Sequence, residues 1–440
     1  MRPDLQGRRG AARHRRRDRL GRGPAAYQHP ARQEVAVRRL RDAPGGDYLQ
    51  DPVPDDDVGH ERRLRRDPGA PYRTAGGLLA PGVGRATGDP GRAGRRRSDH
   101  GVTAPRPPGP DDPARVSVPA GFYLHSAAAL HDTGWNHPDH QGRLRSLASS
   151  VGKDMMALHG RVEQTEPPAA EVATLARVHP QRYLATLREA SVQAEVSGQV
   201  VELDPETRVS GATWEALLGS SGAVCHAVEE VVAGRRHNAF VAARPPGHHA
   251  SAERAMGFCM VNHVAVAARH ALAEGLARRV AIVDWDLHHG NGTQDLFYDD
   301  PDVFYLSLHE WPQFPGTGAS TERGEGAGEA TTLNVPLPAG TGFTSYRRAL
   351  AHALDEVAGV FTPDLVLISA GYDTLRADPL GSFQLEPEHF HELTGIVLEW
   401  AKASAEGRVV AVLEGGYAPS PTGRAVVATV RALAGVSLTE

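Results

Sequence analysis

Residues 284–292 read Asp-Trp-Asp-Leu-His-His-Gly-Asn-Gly. In extended backbone, successive side chains alternate faces, so Asp284, Asp286 and His288 project to one side. Two carboxylates and an imidazole on one face outline a metal site. Zinc accepts oxygen and nitrogen ligands, and a catalytic site keeps one position open for water. The bland alternative is a helix cap followed by ordinary loop histidines. Three further segments argue against it: Arg244-Pro245-Pro246-Gly247-His248-His249, Ala370-Gly371-Tyr372-Asp373 and Glu414-Gly415-Gly416-Tyr417. They add a histidine pair, another carboxylate and a phenol. Taken singly, adjacent histidines after Pro-Pro-Gly read as a solvated loop, and Gly-Gly-Tyr as a turn with a packed aromatic.

What joins these segments is the element before each. Apolar runs at 238–243, 280–283, 365–369 and 409–413 end where the polar residues begin. Such short β-branched runs read as buried strands. A helix candidate precedes each of them: Thr213 to Ala233, Val264 to Glu274, Ser345 to Val360 and Glu386 to Ala405. Near-continuous apolar strands alternating with helices predict a parallel sheet covered on both faces, with right-handed crossovers. In open α/β sheets the ligand crevice lies beyond the carboxyl ends of the strands. Gly121 to Leu124 and Phe304 to Leu308 are further strand candidates. The Gly/Pro-rich stretch from His309 to Gly328 reads as a long loop at the mouth of the site, since such loops in compact domains are usually functional.

Six motifs in order carry a family resemblance: Pro245-Pro246-Gly247-His248-His249-Ala250, Gly257-Phe258-Cys259, Asp284 to Gly292, Gly371-Tyr372-Asp373, Asp378-Pro379-Leu380-Gly381 and Glu414-Gly415-Gly416-Tyr417. From about Gly121 to the C-terminus the chain resembles the histone deacetylase superfamily, most of all its class II and bacterial deacetylase-like amidohydrolase branch. The resemblance implies a three-layer α/β fold of the arginase/deacetylase type with a mainly parallel central sheet. It also implies zinc-dependent hydrolysis of acetyl-lysine or acetylated polyamines.

Residue by residue, Asp286, His288 and Asp373 are the expected metal ligands. Two anions and a neutral imidazole bind a dication and leave room for water, whose pKa the metal lowers. Ligand chemistry separates zinc from iron(II) only weakly, so zinc, one per chain, is what the resemblance implies. It also implies His249 as general base and His248 as an electrostatic partner. Asp284 stands behind the first histidine and Asn291 behind the second. Class I members carry Asp in place of Asn291, so the asparagine points to class II and a less basic His249. Tyr417 is the expected donor to the oxyanion. Phe258 and Phe314 match aromatic walls around the substrate stem, and Gly257 a backbone site near the scissile amide. Leu380 occupies a position where polyamine-selective relatives can carry an acidic gatekeeper. Its apolar character favours acetyl-lysine or a neutral acyl amide. Gln181 stands where the class I pattern has a substrate-gripping aspartate, and that departure counts against clamping of a peptide backbone. Arg143 matches the arginine of an internal acetate channel, although by sequence alone it is an ordinary ion-pairing residue. A structural potassium ion is implied at Asp284, Asp286, His288, Ser307 and Leu308.

Composition divides the chain. Residues 1–115 hold 25 arginines against 15 acidic residues and contain no Phe, Trp or Lys. The remainder holds 23 basic and 38 acidic residues, so the net charge of −5 hides a basic arm on an acidic body. Such an arm cannot bury enough apolar surface to offset chain entropy. It reads as a disordered extension or an over-long annotated start. A nucleic-acid-binding role is disfavoured by the interspersed acids and the absence of Phe and Trp. Residues 116–440 read as one catalytic domain. No secretory h-region and no membrane-length apolar run stands out. Cys225 and Cys259 form no framework, which fits a reducing cytoplasm. The expected partner is an acetylated lysine peptide or protein, or a small acetylated amine; oligomeric state is left open. Three rivals are weighed: an acetylpolyamine amidohydrolase with the same site; an arginase-like two-manganese hydrolase, which needs more bridging carboxylates than His289 and Gly290 supply; and a non-catalytic ligand-binding relative, against which the intact ligand, base and tyrosine set argues.

Overall fold

In the computed structural model, residues 118–439 are described. The extension 1–115 lies outside them, as does the expectation made for it. Ten strands occur among the described residues. They are β1 (Ala120–Tyr123), β2 (Val162–Thr165), β3 (Val201–Glu202), β4 (Arg208–Val209), β5 (Ala239–Val241), β6 (Val280–Asp284), β7 (Val303–Glu310), β8 (Thr332–Leu337), β9 (Leu365–Ala370) and β10 (Val409–Leu413). Eight form one sheet in the order β2-β1-β5-β10-β9-β6-β7-β8, and every neighbouring pair is parallel. β3 and β4 make a separate antiparallel ribbon.

The central strands are buried on both faces, which explains their unbroken apolar sequence. Alternate residues feed two cores. From β6, β9 and β10, Ala281, Val283, Val366, Ile368, Ala411 and Leu413 enter one. Val280, Ile282, Leu365, Leu367, Val410 and Val412 enter the other. Helices Gly142–Lys153, Phe343–Ala358, His389–Ser404 and Pro419–Leu433 close the first face with residues such as Leu147, Leu350, Leu393 and Val426. Helices Gln181–Ser197, Thr213–Val232 and His263–Ala273 close the second with Leu187, Leu217 and Val264. The result is the expected three-layer α/β architecture. Among the described residues no helix is long and apolar enough to cross a membrane.

The four expected helices are found within about three residues of the expected ends. One start has a visible cause. Asn262 is extended and its side chain accepts a hydrogen bond from Ala265 N, so the helix begins at His263. Differences fall at the margins. β2 was not anticipated because its sequence, Val-Glu-Gln-Thr, is that of a polar edge strand. β7 runs to Glu310, two residues into the expected loop, because His309 and Glu310 pair with Pro336 and Leu337 of the unanticipated β8. A short 3-10 turn at Gly326–Gly328 further interrupts that loop.

Candidate active site

The strands β5, β10, β9 and β6 lie side by side, and their carboxyl ends deliver the polar segments to one rim. β6 ends at Asp284, and residues 285–289 bend instead of continuing extended. The simple alternation read from the sequence therefore stops at its first residue, Asp284. Asp284 turns to the histidine pair, while ligand atoms of Asp286, His288 and Asp373 lie within 4.8 Å of one another. His288 Nδ1 is 3.2 Å from Asp286 Oδ1 and 2.9 Å from Asp373 Oδ2, so one ring nitrogen faces both carboxylates. Backbone amides fix the acids. Leu287 N donates to Asp373 Oδ1 at 2.7 Å, His288 N to Asp286 Oδ1 at 2.9 Å and Gly415 N to Asp286 Oδ2 at 2.9 Å.

This donor set fits a small dication. Both aspartates are fully buried, and burying a charge is costly unless it is paired. Burial and the neighbouring Asp286 push Asp373 up to about 7. Burial opposes ionisation of Asp286 too, but the charges and hydrogen bonds of His248 and His288 hold it well below the usual range. Burial works against charging His288, yet its bonds to Asp286 and Asp373 raise it well above its usual value. The cluster thus draws positive charge to its centre. Space has been cleared beside it. A Cβ on Gly371 would lie 2.1 Å from Asp286 Oδ2, and one on Gly415 would lie 2.5 Å from Asp373 Oδ2. Among the described residues one other triad has metal-ligating atoms this close, His248, Cys259 and Glu414. The Glu414 carboxylate is already engaged there by Gly247 N, His248 N and Ser369 Oγ.

Beside the cluster stand the two histidines, their ring centroids 4.0 Å apart. His248 Nδ1 is 3.1 Å from Asp284 Oδ2, and its Nε2 is 3.7 Å from Asp286 Oδ1. Burial lowers its pKa, but Asp286 and Asp284 outweigh that and raise it to about 10. His249 Nδ1 bonds instead to the neutral Asn291 Oδ1 at 2.9 Å. Burial, then the charges of His248 and His288, drive His249 well below its usual value. The neighbouring groups thus drive the two imidazoles in opposite directions, His248 up and His249 down. Because Asn291 Oδ1 can only accept, it assigns the His249 proton to Nδ1 and leaves Nε2 with a lone pair.

Tyr417 lies across from them. Its ring packs edge-on against Phe258 at 5.5 Å, and the Arg143 guanidinium sits 4.7 Å from its centroid. Burial raises the phenol well above its usual value, so it remains a donor. Arg143 is more than an ordinary ion-pairing residue. It is buried, donates to Gly416 O at 2.7 Å and Glu414 O at 2.5 Å, and pairs with Asp139 at 2.6 Å. Asp139 also pairs with the buried Arg244 at 3.1 Å. Asp378 accepts from Tyr417 N at 2.6 Å and Leu380 N at 3.0 Å. The sequence reading assigned no role to Asp139, Arg244, Asp378 or Glu414. Asp378 and Glu414 stand inside quoted motifs, but nothing local shows that each clamps a distant loop.

A cavity of about 410 Å³ opens above these groups, with His249, His288 and Tyr417 at its floor and Phe258, Phe314 and Leu380 in its walls. Phe258 packs edge-on against His137 as well as Tyr417, whereas Phe314 packs against His249 and His288. The two aromatics therefore flank different parts of the floor. Gly257 has φ +53°, and a Cβ there would meet His249 Cδ2 at 2.7 Å, so the close approach calls for glycine. Gln181, the departure from the class I aspartate, lies away from these groups. It is exposed at the start of its helix and does not line the cavity. The rim on that side comes from Pro205, Glu206 and Arg208. Asp284 and Ser307 are register partners on β6 and β7, and Leu308 follows, so the residues of the expected potassium site lie close together.

The profile of the histone deacetylase domain matches residues 137–433. The chain is 36% identical over 324 residues to "Histone deacetylase 14, chloroplastic" of Arabidopsis thaliana, covering 71% of this chain and 76% of that protein. It is 34% identical over 325 residues to the "Histone deacetylase-like amidohydrolase" of Pseudomonas aeruginosa, covering 74% and 82%. The crystal structure of the HDA15 HD domain superposes with a TM-score of 0.67 at 31% identity, covering 73% of this chain and 89% of that one. Fold and site define a hydrolase that acts on amide bonds. The chain belongs to the histone deacetylase family.

Proposed function

We propose that this enzyme is a zinc-dependent deacetylase that hydrolyses the amide of acetyl-lysine or a related N-acyl amine, with one Zn²⁺ held by Asp286, His288 and Asp373. The observation that carries the reading is the meeting of those three ligand groups within 4.8 Å at the floor of a cavity that also holds a neutral histidine and a protonated tyrosine. When bound, such a dication polarises the acyl carbonyl and acidifies water.

The chain's own residues supply the rest. His249 takes the proton of the attacking water at Nε2 and returns it to the departing amine, while Asn291 holds the ring. His248, kept cationic beside Asp284, offsets negative charge that builds nearby. The Tyr417 hydroxyl donates to the developing oxyanion. Phe258 and Phe314 exclude water from the stem, and the Gly257 backbone adjoins the amide. Leu380 offers no carboxylate to an internal amine, which supports acetyl-lysine or a neutral acyl amide over a polyamine. Arg143 packs behind Tyr417, which supports a part in release of the carboxylate, and K⁺ at Asp284, Asp286, His288, Ser307 and Leu308 would stiffen the loop after β6.

Mass spectrometry of products from an acetyl-lysine peptide and from acetylspermidine, with and without chelator, tests the reading. Chelator-sensitive release of acetate is expected, with the lysine substrate favoured. A stoichiometry of two manganese ions per chain, or wild-type turnover by His249→Ala, would overturn it.

A further inference from the structure

The cavity rim carries two full charges of opposite sign that the chemistry at the floor does not use. Glu206 and Arg208 both line the cavity, two residues apart in the segment that leads into β4. Thr207 between them is buried, and its hydroxyl accepts from Phe258 N at 3.2 Å. Thr207 is thus turned inward, between two residues that line the mouth.

The backbone under this pair is fixed. Asp204 Oδ1 accepts from Glu206 N at 2.8 Å and Thr207 N at 2.7 Å, and His137 Nε2 lies 2.8 Å from Glu206 O. Arg208 Nη1 donates to Thr133 O at 3.1 Å, and Nε lies 3.5 Å from Glu202, which does not line the cavity. Nη2 of Arg208 and the Glu206 carboxylate have no hydrogen-bond partner among the described residues. The side chain of Arg208 is 26% exposed. A guanidinium anchored at one end binds a carboxylate with little ordering cost.

Resting on the deacetylase reading above, we infer that the preferred substrate class is the free Nε-acyl amino acid, a zwitterion, rather than an acylated lysine within a polypeptide. Its neutral amide reaches the floor. At the other end of its stem the α-carboxylate meets Arg208 and the α-ammonium meets Glu206. A residue inside a peptide has neutral amides at both positions and offers neither rim group an opposite charge. An acetylpolyamine offers cations only, which suit Glu206 and oppose Arg208. Hydrolysis adds water across the acyl C–N bond, releasing the free amino acid and one carboxylate.

The test uses the full zinc-loaded chain and four probes, with acetylspermidine as a competing substrate. These are Nε-acetyl-lysine, its α-carboxamide, its Nα-acetyl derivative and uncharged N-butylacetamide. We expect kcat/KM for the free zwitterion to exceed that for either singly blocked form at least tenfold. Arg208→Leu should collapse the acid-to-carboxamide ratio toward one, and Arg208→Lys should restore part of it. Glu206→Gln should collapse the ratio of free to Nα-acetylated amine. A purely structural role would lower all rates together and preserve the ratios, which would overturn the inference. So would equal rates for free and blocked substrates, or faster cleavage of acetylspermidine. Turnover of N-butylacetamide without any preference for the zwitterion removes this inference alone. Failure to cleave any of the four removes the deacetylase reading with it.

Discussion

His248 and His249 are adjacent in sequence and 4.0 Å apart in space, yet they are opposite acids and bases. The difference lies in what stands behind each ring. His248 leans on the carboxylates of Asp284 and Asp286 and is raised to about 10. His249 leans on a neutral amide, is buried, and faces the cation beside it. Chemical identity therefore sets nothing by itself. The partner of the second ring nitrogen sets the protonation state, and with it the role.

Removing the neutral base breaks the comparison most severely. His249→Ala should lower kcat by about 10² to 10⁴-fold. Bound metal, measured by mass spectrometry, should stay at one per chain. Tyr417→Phe comes next, with kcat down about 10² to 10³-fold and a smaller change in KM, since the hydroxyl acts on charge that develops in the transition state. Asn291→Asp sharpens the contrast instead of abolishing it. A carboxylate behind His249 raises its pKa, and the base must be neutral. The acid limb of kcat/KM against pH should move to higher pH by about one unit, as one charged hydrogen-bond partner typically does. An unmoved limb would mean that another group titrates.

The smallest effect concerns histidines with no catalytic part. His179 and His263 are buried, and burial lowers each to about 4. The unfolded chain therefore binds protons that the folded chain refuses as pH falls below about 6.5. Stability is full above that pH and declines toward pH 4. Thermal melting at pH 7 and pH 5 should show the fall. His263→Gln should remove up to about 1.4 kcal/mol per pH unit from the slope.

How much of this was readable in the chain varies with the range of the interactions. The strands β6, β9 and β10 announce themselves because burial on both faces leaves only apolar residues. The edge strand β2, half in solvent, has no such signature. Helix Pro419–Leu433 went unread because its opening holds Pro, Ser and Gly, and its packing against Gly142–Lys153 sets its place. The ligand and histidine motifs are local and legible. The carboxylates Asp139, Asp378 and Glu414 act on residues up to 167 positions away in a web of buried bonds, and no local pattern records that.

By itself the amino-acid order determined the α/β class, the carboxyl-end placement of the site and the cast of reactive groups, because side-chain alternation and strand burial are short-range consequences of residue type. Only the tertiary structure decided how far apart the two histidines are driven in basicity, which backbone amides anchor the ligand aspartates, and that Glu206 and Arg208 line the mouth of the cavity. Those outcomes depend on distances and desolvation between segments far apart along the chain, and Coulomb and burial energies exist only once the segments have met.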